Sequence, residues 1–302
     1  MTAGVAGPGM PTPVSARAAA RIVRSLKAAR ARPRFSALAI AGAVGALIVV
    51  LVAIFGPLVA PYNPDAVNFN LVLAPPGTAH HLLGTDQLGR DVLSRMLYGA
   101  RTTLAVGIVS TLLGTAVGLP YGMIAGYFRG PVDMLLMRIA DVLLAFPFLL
   151  LAVGLAAIYQ PTLWTAVLAL GVAQVPVIAR IARGATLEIR GLEYVQAALV
   201  NGESDLAILR RQILPNVLRP VTVQTTVAIP ASIVGAAILS FLGLGVQPPT
   251  ADWGGMLAQA QQYLYQSPWL GVFPGAAIFL TAFCFNLLGD GITDALNPRG
   301  RR

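Results

Sequence analysis

Charged residues divide the chain into long uncharged runs at Phe35–Pro64, Thr102–Phe128, Val142–Ala179, Pro220–Ala251 and Trp253–Gly289. A helix crosses the hydrocarbon layer of a bilayer in about 20 residues, so each run is long enough to span. The third run would be about 57 Å long as one straight helix, nearly twice the need. Tyr159, Gln160 and Pro161 near its middle form a turn signal. It therefore reads as two spans joined by a hairpin, the first beginning back near Met134. The last run carries Gln259, Gln261, Gln262, Gln266 and Pro268 in its first half, so its span starts near Trp269. The pattern predicts six helices, at 36–60, 103–126, 134–158, 162–182, 218–245 and 269–291. Only helices satisfy their own backbone polar groups in lipid at this length. The expected fold class is all-α, a polytopic integral membrane helical bundle. Pro147, Pro176 and Pro230 fall inside spans, where proline kinks a helix.

Composition agrees with a lipid solvent. Of 302 residues, 56% are hydrophobic and 11% charged, with a mean hydropathy of +0.74, whereas soluble domains are nearer a quarter charged. The net charge of +9 does not mark a nucleic-acid binder, because the basic residues sit where membrane topology places them. An even span count puts both termini on one side. Eighteen of the 21 Lys and Arg residues then share that side, and only Arg90, Arg95 and Arg101 lie on the other. The positive-inside rule assigns the rich side, with both ends, to the cytoplasm. Residues 1–35 read as a basic arm, disordered over 1–16 and carrying seven positive residues over Arg17–Arg34, followed by an uncleaved anchor. The external loops are 61–102 and 246–268, a cytoplasmic loop covers 183–216, and 292–302 form a cytoplasmic tail. Cys284, the single cysteine, reads as a small buried hydrophobe.

The stretch EYVQAALVNGESDLAILRRQILPN, Glu193–Asn216, is a charged insertion between two apolar stretches. Glu193–Val200 suits a short helix, with Asn201 and Gly202 as a left-handed C-cap. Ser204 or Asp205 suits the N-cap of a second. That helix would place Leu206, Leu209 and Ile213 on one face and end at Pro215. Such an amphipathic hairpin either packs on its own bundle, lies at the headgroups, or docks another protein.

At this point the residues resemble a known family. Ala197, Ala198, Gly202, Leu214 and Pro215 match the cytoplasmic loop shared by permease subunits of bacterial ATP-binding-cassette importers, with Gln196 where glutamate is usual and Asn201 where an apolar residue is common. The stretches LGTDQLGRDVLSRMLYGAR, MRIADVLLAFP, LSFLGLGVQPPTADWGGML and LGDGITDALNPR resemble the dipeptide/oligopeptide/nickel permease group, and within it the second permease subunit. The resemblance implies a type I importer fold. It implies a heterodimer with a homologous permease, two ATPase subunits that bind ATP and Mg, and an extracytoplasmic substrate-binding protein. On the same basis Glu193, Gln196, Ala197, Ala198, Asn201, Gly202, Glu203, Ser204, Asp205, Leu206, Leu214 and Pro215 would couple to the ATPases. Gln247, Pro248, Asp252, Trp253, Gly254 and Gly255 would close an external gate or meet the binding protein.

Other polar residues admit two readings. Asp86, Arg90, Asp91, Arg95 and Arg101 alternate in sign, so Asp86–Arg90 and Asp91–Arg95 are expected to pair along a solvated interfacial helix or to contact a partner. Asp141 is expected to pair with Arg138, Arg180 or Arg183. Gln174, Gln224, Thr225, Ser232 and Asn286 either line a path or bond helix to helix. No chemistry of catalysis is visible. The one lysine, Lys27, is followed by Ala28, so no phosphate-binding Gly-Lys-Ser/Thr loop exists. The only histidines, His80 and His81, are adjacent and cannot form a zinc-binding helix motif; they are expected to point apart. No resident cofactor, metal or nucleic-acid partner is expected. A secondary transporter or channel acting alone is the alternative. It would need intramembrane charge relays or inverted repeats, and neither is evident.

Overall fold

The computed structural model describes residues 37–78 and 80–296, so the basic arm and the end of the tail lie outside the described residues. Among the described residues ten α-helices follow one another: α1 Ala37–Val59, α2 Val92–Phe128, α3 Gly130–Ala145, α4 Phe148–Tyr159, α5 Leu163–Arg190, α6 Glu193–Val200, α7 Asp205–Ile208, α8 Leu214–Phe241, α9 Trp253–Ala260 and α10 Trp269–Leu296. Five segments cross a membrane by length and composition: α1, α2, α5, α7 through α8 as one rod, and α10. The bent pair α3 and α4 makes a sixth when the two are counted as one span. Polar caps set several ends. Asp91, Thr162, Ser204 and Asp252 each accept a backbone N–H three residues on, at the starts of α2, α5, α7 and α9.

Three boundaries differ from the sequence expectation. The second span does not begin at 103. It begins eleven residues earlier at Val92, capped by Asp91, and at 37 residues α2 is about 55 Å long, so its first turns stand outside the hydrocarbon. The third span, expected as one helix over 134–158, is broken at Phe146–Pro147 with an 88° bend. Proline lacks the N–H and its ring clashes one turn back, and here that ends α3 rather than merely kinking it. Pro176 and Pro230, by contrast, lie inside continuous helices. The fourth span, finally, does not end at 182, because α5 continues to Arg190, and the hairpin starts as expected with α6 at Glu193.

The core of the bundle is the contact of α2 with α5. Gly114, Gly118, Gly122 and Gly126 recur every four residues and so share one face of α2. A Cβ at these positions would meet Gly171 O at 2.8 Å, Val175 O at 2.7 Å, Ala179 O at 2.2 Å and Arg183 O at 2.8 Å. The two backbones therefore touch directly along four turns. Lipid tails are as apolar as leucine, so helices in a bilayer associate through this kind of close packing. α8 completes the unit, with Ile233 set against Gly107 of α2 and Leu170 of α5 against Gly235 of α8. α1 lies on α10 through Gly42 against Leu287, Gly45 against Cys284, and Gly291 against Ala39.

Gly122→Val is expected to cost at least about 1–3 kcal/mol, because the carbonyl of Ala179 belongs to a helix that cannot yield locally. Thermal unfolding in detergent should show the loss. Gly154→Val, where a Cβ meets open space, should be close to neutral in the same assay.

Candidate functional site

The hairpin at one end of the bundle is built as a rigid mount with a free tip. α6 ends in a Schellman turn: Glu203 N–H donates to Ala198 O at 3.1 Å and Gly202 N–H to Leu199 O at 3.1 Å. Gly202 takes φ +76, the left-handed conformation this turn requires, while Asn201 stays at φ −74. Ser204 then caps α7. One side of the hairpin is clamped to the bundle. Val195, Ala198, Ile208 and Ile213 are buried with Met123 and Tyr127 of α2, Ile178, Ala182 and Ile189 of α5, and Val217 of α8. Polar ties reinforce this. The Tyr127 hydroxyl donates to Asp205 at 2.6 Å, the Arg190 guanidinium stands 5.4 Å from the Tyr127 ring centroid, and Gln196 donates to Arg190 O at 2.7 Å.

The other side faces out. Glu193, Gln196, Ala197, Asn201, Gly202, Glu203, Ser204, Asp205 and Leu206 are exposed, and so are two aliphatic side chains, Val200 at 87% and Leu206 at 74%. Ala198 is buried, Leu214 half-buried and Pro215 exposed. Two expectations for this segment are corrected. Pro215 does not stop a helix: residues 205–241 form one rod, in which Leu209–Ile213 make a π turn closed by Leu214 N–H to Leu209 O. The wider turn accommodates a proline whose ring would clash with the carbonyl of an α-helical turn. The extra residue also changes the buried face. Ile208 and Ile213, five apart, point inward and Leu206 points away, so Leu206, Leu209 and Ile213 do not share a face.

At the opposite end the charged stretch 73–95 is neither helical up to Asp91 nor solvated. Asp86, Arg90, Asp91 and Arg95 are all buried. Asp86 and Arg90 pair at 2.7 Å as expected. Asp91 does not pair with Arg95, because its carboxylate caps α2 through Ser94 and bonds His81 at 2.8 Å. Arg95, only 1% exposed, instead approaches Asp65 at 3.5 Å and Asp86 at 3.6 Å and donates to Pro64 O and Pro249 O. His80 is exposed and His81 buried, and no cluster of metal-ligating side chains occurs among the described residues.

The residues expected at an external gate divide. Gln247 and Pro248 are exposed, and Gly255 is half-buried. Asp252, Trp253 and Gly254 are buried joints between α2, α8 and α9. Trp253 Nε1 donates to Met96 O at 2.9 Å, and a Cβ on Gly254 would lie 2.4 Å from Ala237 O. Asp252 accepts from the Thr103 hydroxyl at 2.8 Å and Gly255 N–H at 3.0 Å and has no cationic partner among the described residues. Burial pushes its carboxyl above the ordinary value of 3.8, against the opposing pull of the Gly255, Thr103, Ser240 and Gly254 donors.

Among the intramembrane polar residues, Thr111 donates to Ser232 at 2.8 Å, Gln174 donates to Ser232 at 3.1 Å, and Thr115 and Thr225 bond at 3.0 Å. These bonds join α2, α5 and α8. Gln224 is half-buried on α8, and Asn286 is exposed on α10. Asp141 bonds Arg180 at 2.6 Å, one of the three partners expected. The pair Asp133–Arg183 and the Tyr127–Asp205–Arg190 cluster were not anticipated from the sequence. Residues 50 and 78 positions apart leave no local signal, whereas the glycine spacing in α2 did.

With this geometry in hand, comparison with known proteins is direct. Residues 118–302 match the family described as binding-protein-dependent transport system inner membrane component, and residues 27–76 match the N-terminal TM domain of oligopeptide transport permease C. This chain belongs to the binding-protein-dependent permeases of ABC transporters, in the DppC/OppC-like group. It is 41% identical over 266 residues to the di/tripeptide transport system permease protein DppC of Pseudomonas aeruginosa, covering 86% of this chain and 88% of that one. It is 43% identical over 258 residues to a putative peptide transport system permease protein of Brucella suis, covering 85% and 86%. It is 42% identical over 262 residues to the glutathione transport system permease protein GsiD of Pectobacterium atrosepticum, covering 86% and 87%. The fold is that of the inward-facing MetNI methionine ABC transporter, with a TM-score of 0.55 at 22% identity over 67% of this chain and 96% of that one. The permease is thus a multi-pass inner-membrane protein with the type I importer fold.

Asp252 sets a pH dependence. A carboxyl raised in the folded state binds its proton more tightly there than in the unfolded chain. Stability therefore falls as pH rises from 3.8 upward. Asp252→Asn keeps an acceptor for Gly255 N–H and removes the buried charge. Its melting temperature relative to the parent should rise with pH above 4 in detergent titrations.

Proposed function

We propose that this permease forms half of the translocation pore of an ATP-driven importer of peptides, paired with a homologous permease. A binding protein delivers solute outside. Two separate ATPase subunits, which bind ATP and Mg, dock on the hairpin of this chain and on that of its partner. ATP hydrolysis falls to those separate subunits, and the distribution of Lys and Arg supports placing both termini in the cytoplasm.

The observation that carries this reading is the hairpin. Its inner face is locked into the bundle, and its outer face leaves Val200 and Leu206 in water. Covering two such side chains contributes about 1.5–3 kcal/mol each, enough to seat a subunit when joined by the rest of an interface. The rod formed by 205–241 carries the hairpin directly into a span, so ATP-driven motion of a docked subunit reaches the pore wall. ATP shifts the pore between inward-open and outward-open states because the ATPases bind it differently in the two. Peptides are favoured as solutes because the similar permeases belong to di/tripeptide, peptide and glutathione systems, and glutathione is itself a tripeptide.

Val200→Asp with Leu206→Asp is expected to leave the melting temperature near that of the parent, since neither side chain touches the core. Co-purification of the two ATPase subunits and solute-stimulated ATP hydrolysis should both fall at least about tenfold. Gly202→Val, whose Cβ meets nothing within 4 Å in this chain, should cost only about 1–2 kcal/mol locally and uncouple hydrolysis. Normal coupling in both variants, or transport by the purified chain alone, would reject the docking reading.

A further inference from the structure

The broken span offers a surface that lipid cannot cover. α3 and α4 are about 24 Å and 18 Å long at 1.5 Å per residue. With 88° between them their far ends lie about 30 Å apart, the thickness of the hydrocarbon. Taken as one broken span, the pair sets its break at Phe146–Pro147 near the middle of the membrane. A helix end leaves its last four carbonyls without helical partners, and Pro147 caps α4 with no side-chain bond. Irregular backbone at this depth is tolerated only inside protein or against water. Here Phe146 and Pro147 are exposed.

Charge lies on the same surface. Met134, Arg138, Asp141 and Ala145 follow at i, i+4, i+7 and i+11, so they share one face of α3, and all four are exposed. Asp141 lies about one turn, roughly 6 Å along the axis, from Ala145. Its ion pair with Arg180 is about half exposed on both sides, 48% and 54%. Arg138 makes no ion pair among the described residues. Half-exposed charge this close to the midplane is incompatible with hydrocarbon. The Asp133–Arg183 pair fixes the base of α3 to α5 independently, at 2.5 Å, so the outer pair is free to face solvent.

We infer that the α3 face from Arg138 to Ala145 is a wall of the aqueous solute path, and that Arg138 on it receives a solute carboxylate such as the C-terminus of a short peptide. A guanidinium binds a carboxylate bidentately, and an unpaired one on a path wall is placed for it. Identifying the path as a peptide path rests on the function proposed above; the presence of water at α3 does not.

The test uses the complete permease–ATPase assembly in nanodiscs without the binding protein, in a Cys284→Ser background. A membrane-impermeant charged methanethiosulfonate reagent should modify Ala145→Cys at least about tenfold faster than Leu47→Cys on the exposed face of α1, because only a hydrated thiol ionises and reacts. Equal rates would overturn the wall. Alanyl-alanine at millimolar concentration should slow that modification at least about threefold, its C-terminal amide should not, and Arg138→Gln should erase the difference between acid and amide, each rate being taken relative to the unprotected rate of the same variant. Equal protection by acid and amide, or a difference that survives Arg138→Gln, would overturn the role of Arg138. ATP-driven uptake by the parent assembly is measured in parallel in closed proteoliposomes supplied with the binding protein. Fast labelling without uptake would count against the importer reading and for the hydrated wall.

Discussion

The rest of the structure depends on two backbones touching. Gly114, Gly118, Gly122 and Gly126 remove every side chain from one face of α2, and α5 lies directly in the groove. In water such a seam would bury too little apolar surface to hold. In lipid, where side chains gain nothing by leaving solvent, close contact of main chains is what packs helices. The seam also places polar atoms. It brings Thr111 and Gln174 to the same Ser232 of α8. At its end Tyr127 and Arg190 stand where Asp205 and the hairpin can be tied down. A helix pair set even 2 Å wider would lose these bonds, and the hairpin would lose its mount.

The two ends of the permease solve opposite problems with the same residue types. Away from the hairpin, carboxylates and arginines are drawn inside a folded loop, where Asp86, Arg90 and Arg95 neutralise one another and Asp91 caps a long helix. At the hairpin, charge stays in water and aliphatic side chains are left there with it. The first arrangement fixes one conformation. The second leaves aliphatic side chains that this chain itself does not cover.

Much of this was legible in the sequence where one-dimensional pattern and three-dimensional structure coincide. Uncharged runs located the spans, since lipid filters charge out of them. Gly202 and Ser204 marked the hairpin, because capping is local chemistry. The start of α2 was hidden: Asp91, Arg95 and Arg101 ended the uncharged run, although helix and membrane boundaries need not agree. The break at Pro147 looked like a kink, since nothing local separates a bent helix from two helices. Leu206 was assigned to the wrong face because a period of 3.6 assumes an α-helix throughout. The ion pairs between α3 and α5 depend on chain segments some 40 to 50 residues apart, as in Arg180–Asp141 and Arg183–Asp133.

The π turn at Leu209–Ile213 makes the azimuth of the hairpin a matter of counting. Each residue in a helix advances the chain by about 100° around the axis. Removing one residue from that turn would swing Val200 and Leu206 by roughly that angle about the rod of α8 while leaving their chemistry intact. The direction in which the tip points is thus encoded by chain length rather than by any side chain. Two permeases with identical hairpins and different counts at this turn would present them to different neighbours.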